Sequence, residues 1–209
     1  MNTKLLLAAA LACAALEPGI ASASYILDTG TPASGAPSVI LNASDWYAAE
    51  FTVTPGETIT QLSAYMATDL QTSGSFTWDL YSASGTFLGP NRESPAYTAS
   101  GTFSASAVTG GAGWNSVAVD WTPAAGTYWI AMQVSSNTQT TGIDLPESTN
   151  SGTAPASQFA FAGSNARYST TGAPAVGIQV SAVPLPAAVW LLGSGLLGLG
   201  SVIRRRALR

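Results

Sequence analysis

The sequence predicts an all-β protein, an antiparallel β-sandwich with jelly-roll-like topology, flanked by an N-terminal signal peptide and one C-terminal transmembrane helix. Three observations support this fold class. The middle of the chain holds roughly six to nine short apolar or alternating runs, Gly, Pro, Ser and Thr separate these runs, and uninterrupted apolar stretches occur only at the two ends. A single open sheet would leave one apolar face in water, so we expect two packed sheets.

The N-terminal residues 1–23 have the pattern of a secretory signal peptide. One lysine precedes an apolar run over 5–16, and the small residues Ala21 and Ala23 supply a signal-peptidase site. We therefore expect cleavage after Ala23. The alternative is a lipoprotein modified at Cys13, which would cut the apolar run short.

Residues 24–182 remain as an exported passenger of about 160 residues, which fits one domain. Loops rich in Gly, Pro, Ser or Thr are expected over 30–38 and 138–157, and residues 87–102 read as a loop with a short edge strand near 96–98. The predicted strands cover 25–28, 46–54, 58–67, 76–81, 114–121, 127–134, 158–162 and 176–181.

Two of these strands have clear inward faces. In the strand over 58–67, the spacing between the first two inward residues breaks strict alternation and predicts a β-bulge. Its inward residues are Ile59, Leu62, Ala64 and Met66. The strand over 76–81 alternates strictly, with Phe76, Trp78 and Leu80 on one face and Thr77, Asp79 and Tyr81 on the other.

Residues 114–121 and 127–134 are two apolar runs joined by a short segment, 123–126, that contains Pro and Gly. This pattern predicts a β-hairpin.

The chain ends in a Pro-containing segment, an apolar run and a cluster of arginines. The 17 residues from Ala187 to Ile203 carry no charge, and as a helix they would reach roughly 25 Å, close to the thickness of a hydrocarbon core. Arginines after an apolar span favour the cytoplasmic side, so Arg204, Arg205 and Arg206 are the expected stop-transfer charges. The alternative is a buried C-terminal helix of a globular domain.

These three parts, in this order at the terminus, resemble the PEP-CTERM sorting signal in its VPLPA-CTERM variant, found on exported proteins of Gram-negative bacteria. The resemblance covers 183–209: a motif, a transmembrane helix over 188–203 and a basic tail over 204–209. It implies that an exosortase recognises and cleaves near the motif after transient retention in the inner membrane. The motif residues are Val183, Pro184, Leu185, Pro186 and Ala187. The segment 114–131 also looks like a unit common in passengers of such proteins, which implies a β-sandwich without a named activity.

Composition excludes several classes of function. The chain contains no histidine, and its one cysteine, Cys13, leaves with the signal peptide. Disulfides, zinc sites built from Cys or His, and nucleophiles activated by histidine are therefore excluded. In the passenger, two arginines stand against ten acidic residues, which leaves a formal net charge of −8. Nucleic acid is not an expected partner, because phosphate binding needs clustered cations.

Two kinds of candidate site remain in the passenger. Trp129, Tyr81 and Tyr47 fall opposite inward-facing residues and could stack on sugar rings, although packing inside the protein is the alternative explanation. Asp79 and Asp120 lie on predicted strands and could form a glycosidase pair or part of a calcium site, or they could be solvated acids.

We expect no catalytic residue, no metal site and no cofactor, with calcium as an open alternative. The sequence thus predicts an exported, non-catalytic surface or extracellular-matrix protein, a secreted β-sandwich associated with exopolysaccharide or biofilm. The alternatives are a carbohydrate-binding module and a polysaccharide-active enzyme using paired carboxylates. Expected partners are signal peptidase, the exosortase and, transiently, the inner membrane with the C-terminus in the cytoplasm.

Overall fold

The computed structural model describes residues 22–67, 73–83, 94–104, 111–134, 143–163 and 168–184. In these ranges the chain forms strands and irregular segments without a helix. Among them there is thus no helix of the length and apolarity that a membrane crossing requires. The predictions that concern residues 1–21, the motif residues Leu185, Pro186 and Ala187, the helix over 188–203 and the basic tail fall outside the described residues.

The described ranges contain twelve strands, which pair antiparallel wherever their register is described. They are β1 (Ser24–Asp28), β2 (Ser38–Leu41), β3 (Trp46–Val53), β4 (Glu57–Ala67), β5 (Ser73–Ser82), β6 (Tyr97–Ser104), β7 (Ala112–Trp121), β8 (Gly126–Gln133), β9 (Ile143–Pro146), β10 (Gln158–Ala162), β11 (Tyr168–Ser169) and β12 (Ile178–Pro184).

These twelve described strands form two six-stranded sheets, and the residues Ala23–Val183 make one compact unit. The first sheet has the order β1-β12-β4-β9-β2, with β7 paired to β4 as well. The second sheet has the order β11-β10-β3-β8-β5-β6. The prediction of an all-β, antiparallel fold is confirmed.

A single main core takes side chains from both sheets, which is the packing of a β-sandwich. The four inward residues predicted in β4 are all fully buried, and the register shifts between Ile59 and Gln61, where a bulge was expected. From the second sheet, Phe76, Trp78 and Leu80 enter the same core. Both predicted inward faces are thus confirmed.

The predicted hairpin of residues 114–121 and 127–134 is wrong, although both strands exist. β7 pairs with β4 in the first sheet, whereas β8 lies between β3 and β5 in the second. The short link between them crosses from one sheet to the other. The hydroxyl of Tyr128, on β8, donates to the carbonyl of Ala124 in this link at 2.9 Å. A short link can join two strands of one sheet as a hairpin, or two strands that belong to different sheets. The spacing of the two apolar runs in the sequence could not distinguish these arrangements.

Several strands lie where loops were expected. β2 begins at the end of the predicted loop 30–38, and its partner β9 lies inside the predicted loop 138–157. Four residues are too few to display a periodicity. β6 is longer than the expected edge strand and contains Gly101, against which the Phe76 ring packs so closely that an added Cβ would lie 2.5 Å from Cζ.

Candidate functional site

The three aromatic residues predicted as exposed sugar contacts are buried, so that expectation is wrong. The exposed fractions of Trp129, Tyr81 and Tyr47 are 4%, 1% and 4%. Tyr47 belongs to the main core, where its ring lies 5.4 Å from that of Phe161 and its hydroxyl donates to the Ile40 carbonyl at 3.2 Å. Burial raises the pKa of Tyr47 well above its ordinary value.

Tyr81 and Trp129 face each other across β5 and β8, on the side of the second sheet turned away from the main core. There they form a second buried cluster, which we call the outer cluster; it comprises Ala48, Tyr81, Trp129, Ala131 and Ala160. The physical reason for the wrong expectation is that the second sheet is covered on both faces here. Alternation identifies two faces of a strand, but it cannot show that both are buried.

A polar network borders the outer cluster. The Gln133 amide donates to the hydroxyls of Tyr81 and Tyr168, at 3.1 and 3.0 Å. Burial raises the pKa of Tyr168 well above its ordinary value. The two hydroxyls are thus hydrogen-bonded within the protein through one amide group.

Asp79 and Asp120 do not form the acidic pair considered from the sequence. Asp79 is buried on the outer side of the second sheet, where it accepts hydrogen bonds from Thr98 Oγ1 at 2.6 Å and Thr77 Oγ1 at 3.0 Å. Burial raises its pKa, although these two hydroxyls act in the opposite direction. Asp120 is exposed on β7 of the first sheet, between two residues that pack on the core. The two carboxylates thus lie on opposite outer faces of the sandwich.

Asp28 is a charged residue whose role the sequence did not reveal. Its Oδ2 accepts from the backbone and the hydroxyl of Thr153, each at 2.9 Å, and its Oδ1 accepts from Gln179 Nε2 at 3.0 Å and Gly30 N at 3.1 Å. Burial acts to raise its pKa, but the four hydrogen bonds outweigh this effect and lower it. We call this arrangement the Asp28 clasp. It joins β1, β12 and the loop after β9.

The outer face of the first sheet contains a cleft of about 370 Å³, which we call the first-sheet cleft. The loop 33–36 borders it on one side, and strands β2, β4, β7 and β9, with Gly111 just before β7, supply the rest of its wall. Its larger side chains and its polar groups come mainly from Ser34, Ser38, Tyr65, Asp144 and Pro146. Asp144 lies between two core residues of β9 and therefore faces the outer side, on the same face as Tyr65.

Tyr65 is held in place from several directions. Its cross-strand neighbour on β7 is Trp114, and the two rings meet edge to face with centroids 5.5 Å apart. The Trp114 indole N–H donates to Thr31 Oγ1 at 3.3 Å. Gly177 lies beside it and accepts from the Tyr65 backbone N–H at 2.9 Å, and an added Cβ at Gly177 would come 2.6 Å from the Tyr65 Cβ. The Tyr65 ring is thus a partly exposed aromatic surface with fixed neighbours.

The processing sites predicted from the sequence lie at the ends of two paired strands. Ala23 immediately precedes β1, and Val183 and Pro184 are the last residues of β12. In the register of β1 and β12, Ser24 is opposite Ala182.

In the described part of the chain, no three His, Cys, Asp or Glu side chains are grouped so that they could hold a metal ion. The chain matches no protein-family model and no curated protein sequence.

Proposed function

We propose that this chain is an exported, non-catalytic surface or extracellular-matrix protein of a Gram-negative bacterium. Signal peptidase removes residues 1–23, and an exosortase processes the chain at the motif 183–187 after transient retention in the inner membrane. The β-domain then reaches the cell surface or the extracellular matrix, where it associates with exopolysaccharide.

The pairing of Ser24 with Ala182 is the observation that carries this proposal. Ser24 is the first residue after the predicted signal-peptidase site, and Ala182 is the last residue before the sorting motif. Cleavage at both sites would leave the described pairing of β1 and β12 complete, because its register runs from Ser24 to Asp28 and from Gln179 to Ala182. The compact unit Ala23–Val183 differs from the predicted passenger by one residue at each end. On this geometry the tail can be removed while the domain keeps the described pairing of its first and last strands.

We also infer a jelly-roll topology from the strand order. In an eight-stranded jelly roll, the first, eighth, third and sixth strands form one sheet, and the second, seventh, fourth and fifth form the other. If β2, β9, β10 and β11 are set aside as additions, the sheets have the orders β1-β12-β4-β7 and β3-β8-β5-β6. These orders agree with that scheme. Jelly rolls include lectin domains, which supports an association with glycans by analogy of fold alone.

The second candidate function is a carbohydrate-binding module, and the first-sheet cleft is the observation in its favour. An enzyme with paired carboxylates receives less support, because Asp79 and Asp120 lie on opposite outer faces.

Fractionation of cells combined with intact-mass measurement tests the proposal. We expect a released protein that begins at Ser24 and ends near the motif. Replacing Pro184, Leu185 and Pro186 by Ala should keep the chain with its tail in the membrane fraction. As a matched control, the unaltered protein should be retained in the same way in a strain that lacks the exosortase. Normal release of the triple variant would contradict the proposal.

A further inference from the structure

The first-sheet cleft combines an aromatic ring with oxygen-bearing side chains. Tyr65 supplies the ring, Ser34 and Ser38 supply exposed hydroxyl groups, and Asp144, with 5% of its surface exposed, forms part of the wall. Sugars present apolar C–H faces that pack on aromatic rings and hydroxyl groups that donate to carboxylates and exchange hydrogen bonds with serine hydroxyls. The composition of the cleft matches both properties of a sugar ring.

The Tyr65 ring is positioned before any ligand arrives. Trp114 contacts it edge to face, and Trp114 is itself tied to Thr31 by a hydrogen bond. Gly177 leaves room for the Tyr65 backbone, since any side chain there would collide with the Tyr65 Cβ. A preorganised surface loses little conformational entropy when it binds, and this favours affinity.

Charge restricts the kind of sugar. The passenger carries a formal net charge of −8, and the cleft has the Asp144 carboxylate in its wall. A polymer of uronic acids or sulfated sugars would be repelled by this field, whereas a neutral polymer would not.

We infer that the first-sheet cleft is a binding site for a neutral, hydroxyl-rich polysaccharide, with Tyr65 as the stacking surface and the exposed Ser34 and Ser38 hydroxyls as hydrogen-bond partners for sugar hydroxyls. The inference rests on the proposed association with exopolysaccharide and specifies its site and its chemical class.

Affinity electrophoresis of the purified full-length protein tests the inference. The probes are three neutral polymers, laminarin, dextran and hydroxyethyl cellulose, and one polyanion, alginate. We expect retardation by at least one neutral polymer and none by alginate. Tyr65→Ala should weaken this binding roughly tenfold, which corresponds to about 1.4 kcal/mol for the loss of stacking on one aromatic ring. Tyr65→Phe should retain it.

Tyr25→Ala is the matched control, since Tyr25 is a tyrosine with 46% of its surface exposed and does not line the cleft. It should bind like the unaltered protein. Ala33→Trp fills the cleft from an exposed loop position and leaves Tyr65 intact, so it gives an answer even if Tyr65→Ala fails to fold. Ala33→Trp should abolish retardation.

Three outcomes would overturn the inference: no retardation by any neutral polymer, stronger retardation by alginate, or unchanged binding in Ala33→Trp. Processing at the motif is measured separately, by mass. A correctly cleaved protein that binds none of the polymers would contradict the inference about the cleft and leave the proposed sorting unaffected. An uncleaved protein that binds a neutral polymer through Tyr65 would instead contradict the proposed processing by the exosortase and support the inference about the cleft.

Discussion

Thr153 donates both its backbone N–H and its hydroxyl to one oxygen of Asp28, each at 2.9 Å. With Gln179 and Gly30 on the other oxygen, the carboxylate is fully engaged by four donors. Thr153 and Gln179 lie 125 and 151 positions from Asp28 in the sequence. A single side chain thus fixes the first strand, the last strand and the loop after β9 relative to one another.

Removing the charge of Asp28 should therefore destabilise the fold. In Asp28→Asn, one acceptor oxygen becomes an amide donor that faces other donors. We expect a loss of about 2 kcal/mol in the free energy of unfolding, because hydrogen bonds to a buried charged group contribute roughly 1.5–3 kcal/mol. Urea unfolding monitored by tryptophan fluorescence measures the loss. Asp120→Asn, on an exposed position of β7, is the matched control and should change stability by less than about 0.5 kcal/mol. Equal effects of the two variants would contradict the role of the clasp.

Replacing Asp79 by Asn should stabilise the fold at neutral pH, which is the opposite of the effect expected for Asp28→Asn. Burial raises the pKa of Asp79 in the folded protein, so the folded state favours the protonated form. The stability that this preference gives is present below the unfolded pKa and is lost as the pH rises through the folded value. Asp79→Asn keeps one acceptor oxygen for a threonine hydroxyl, and the other hydroxyl can turn to accept from the new amide, which the backbone N–H donors to Asp28 cannot do. The variant should therefore be more stable than the unaltered protein at pH 7 but not at pH 3. Urea unfolding at both pH values gives the comparison, and a destabilised variant at pH 7 would contradict it.

The contribution of Asp28 to the stability of the fold should depend on pH in the opposite sense to that of Asp79. Its folded pKa is lowered from the ordinary value of 3.8, so its contribution is present above that value and is lost as the pH falls through the lower folded value. Unaltered protein should lose stability on acidification in this range, and Asp28→Asn should lose less. A parallel pH dependence of the two proteins would show that another group is responsible.

Two glycines beside phenylalanine rings should differ in their tolerance of a methyl group. A Cβ at Gly101 would lie 2.5 to 2.9 Å from three atoms of the buried Phe76 ring, whereas a Cβ at Gly163 would meet Phe161 at an ordinary 3.6 Å. Gly101→Ala should therefore cost about 1–3 kcal/mol through overpacking. Gly163→Ala should cost much less, because the substitution also reduces the entropy of the unfolded chain. Thermal unfolding of both variants tests the difference.

The sequence identified elements whose signal is local and missed those that depend on distant partners. Alternation located the inward face of β4 and even its bulge, since Leu62 and Met66 face the core directly. It could not show that the outer side of β5 is also covered, so Tyr81 was mistaken for a surface residue. The Asp28 clasp has no local signature, because three of its four donors come from Thr153 and Gln179 in the other half of the chain. The first-sheet cleft likewise depends on a loop and on short strands, β2 and β9, that have too few residues to display a period.

The separation of β7 and β8 into different sheets can be tested with a disulfide. Ser63 on β4 faces Ser116 on β7, and their hydroxyl oxygens lie 2.8 Å apart. Cysteines at both positions should form a disulfide under oxidising conditions and stabilise the protein by roughly 4 kcal/mol, the value expected for closing a loop of this length. Each single cysteine variant is the control and should show no such gain. If β7 instead paired with β8 as a hairpin, it would not hold Ser116 opposite Ser63. The double variant would then keep two free thiols, which mass measurement after alkylation distinguishes from the disulfide.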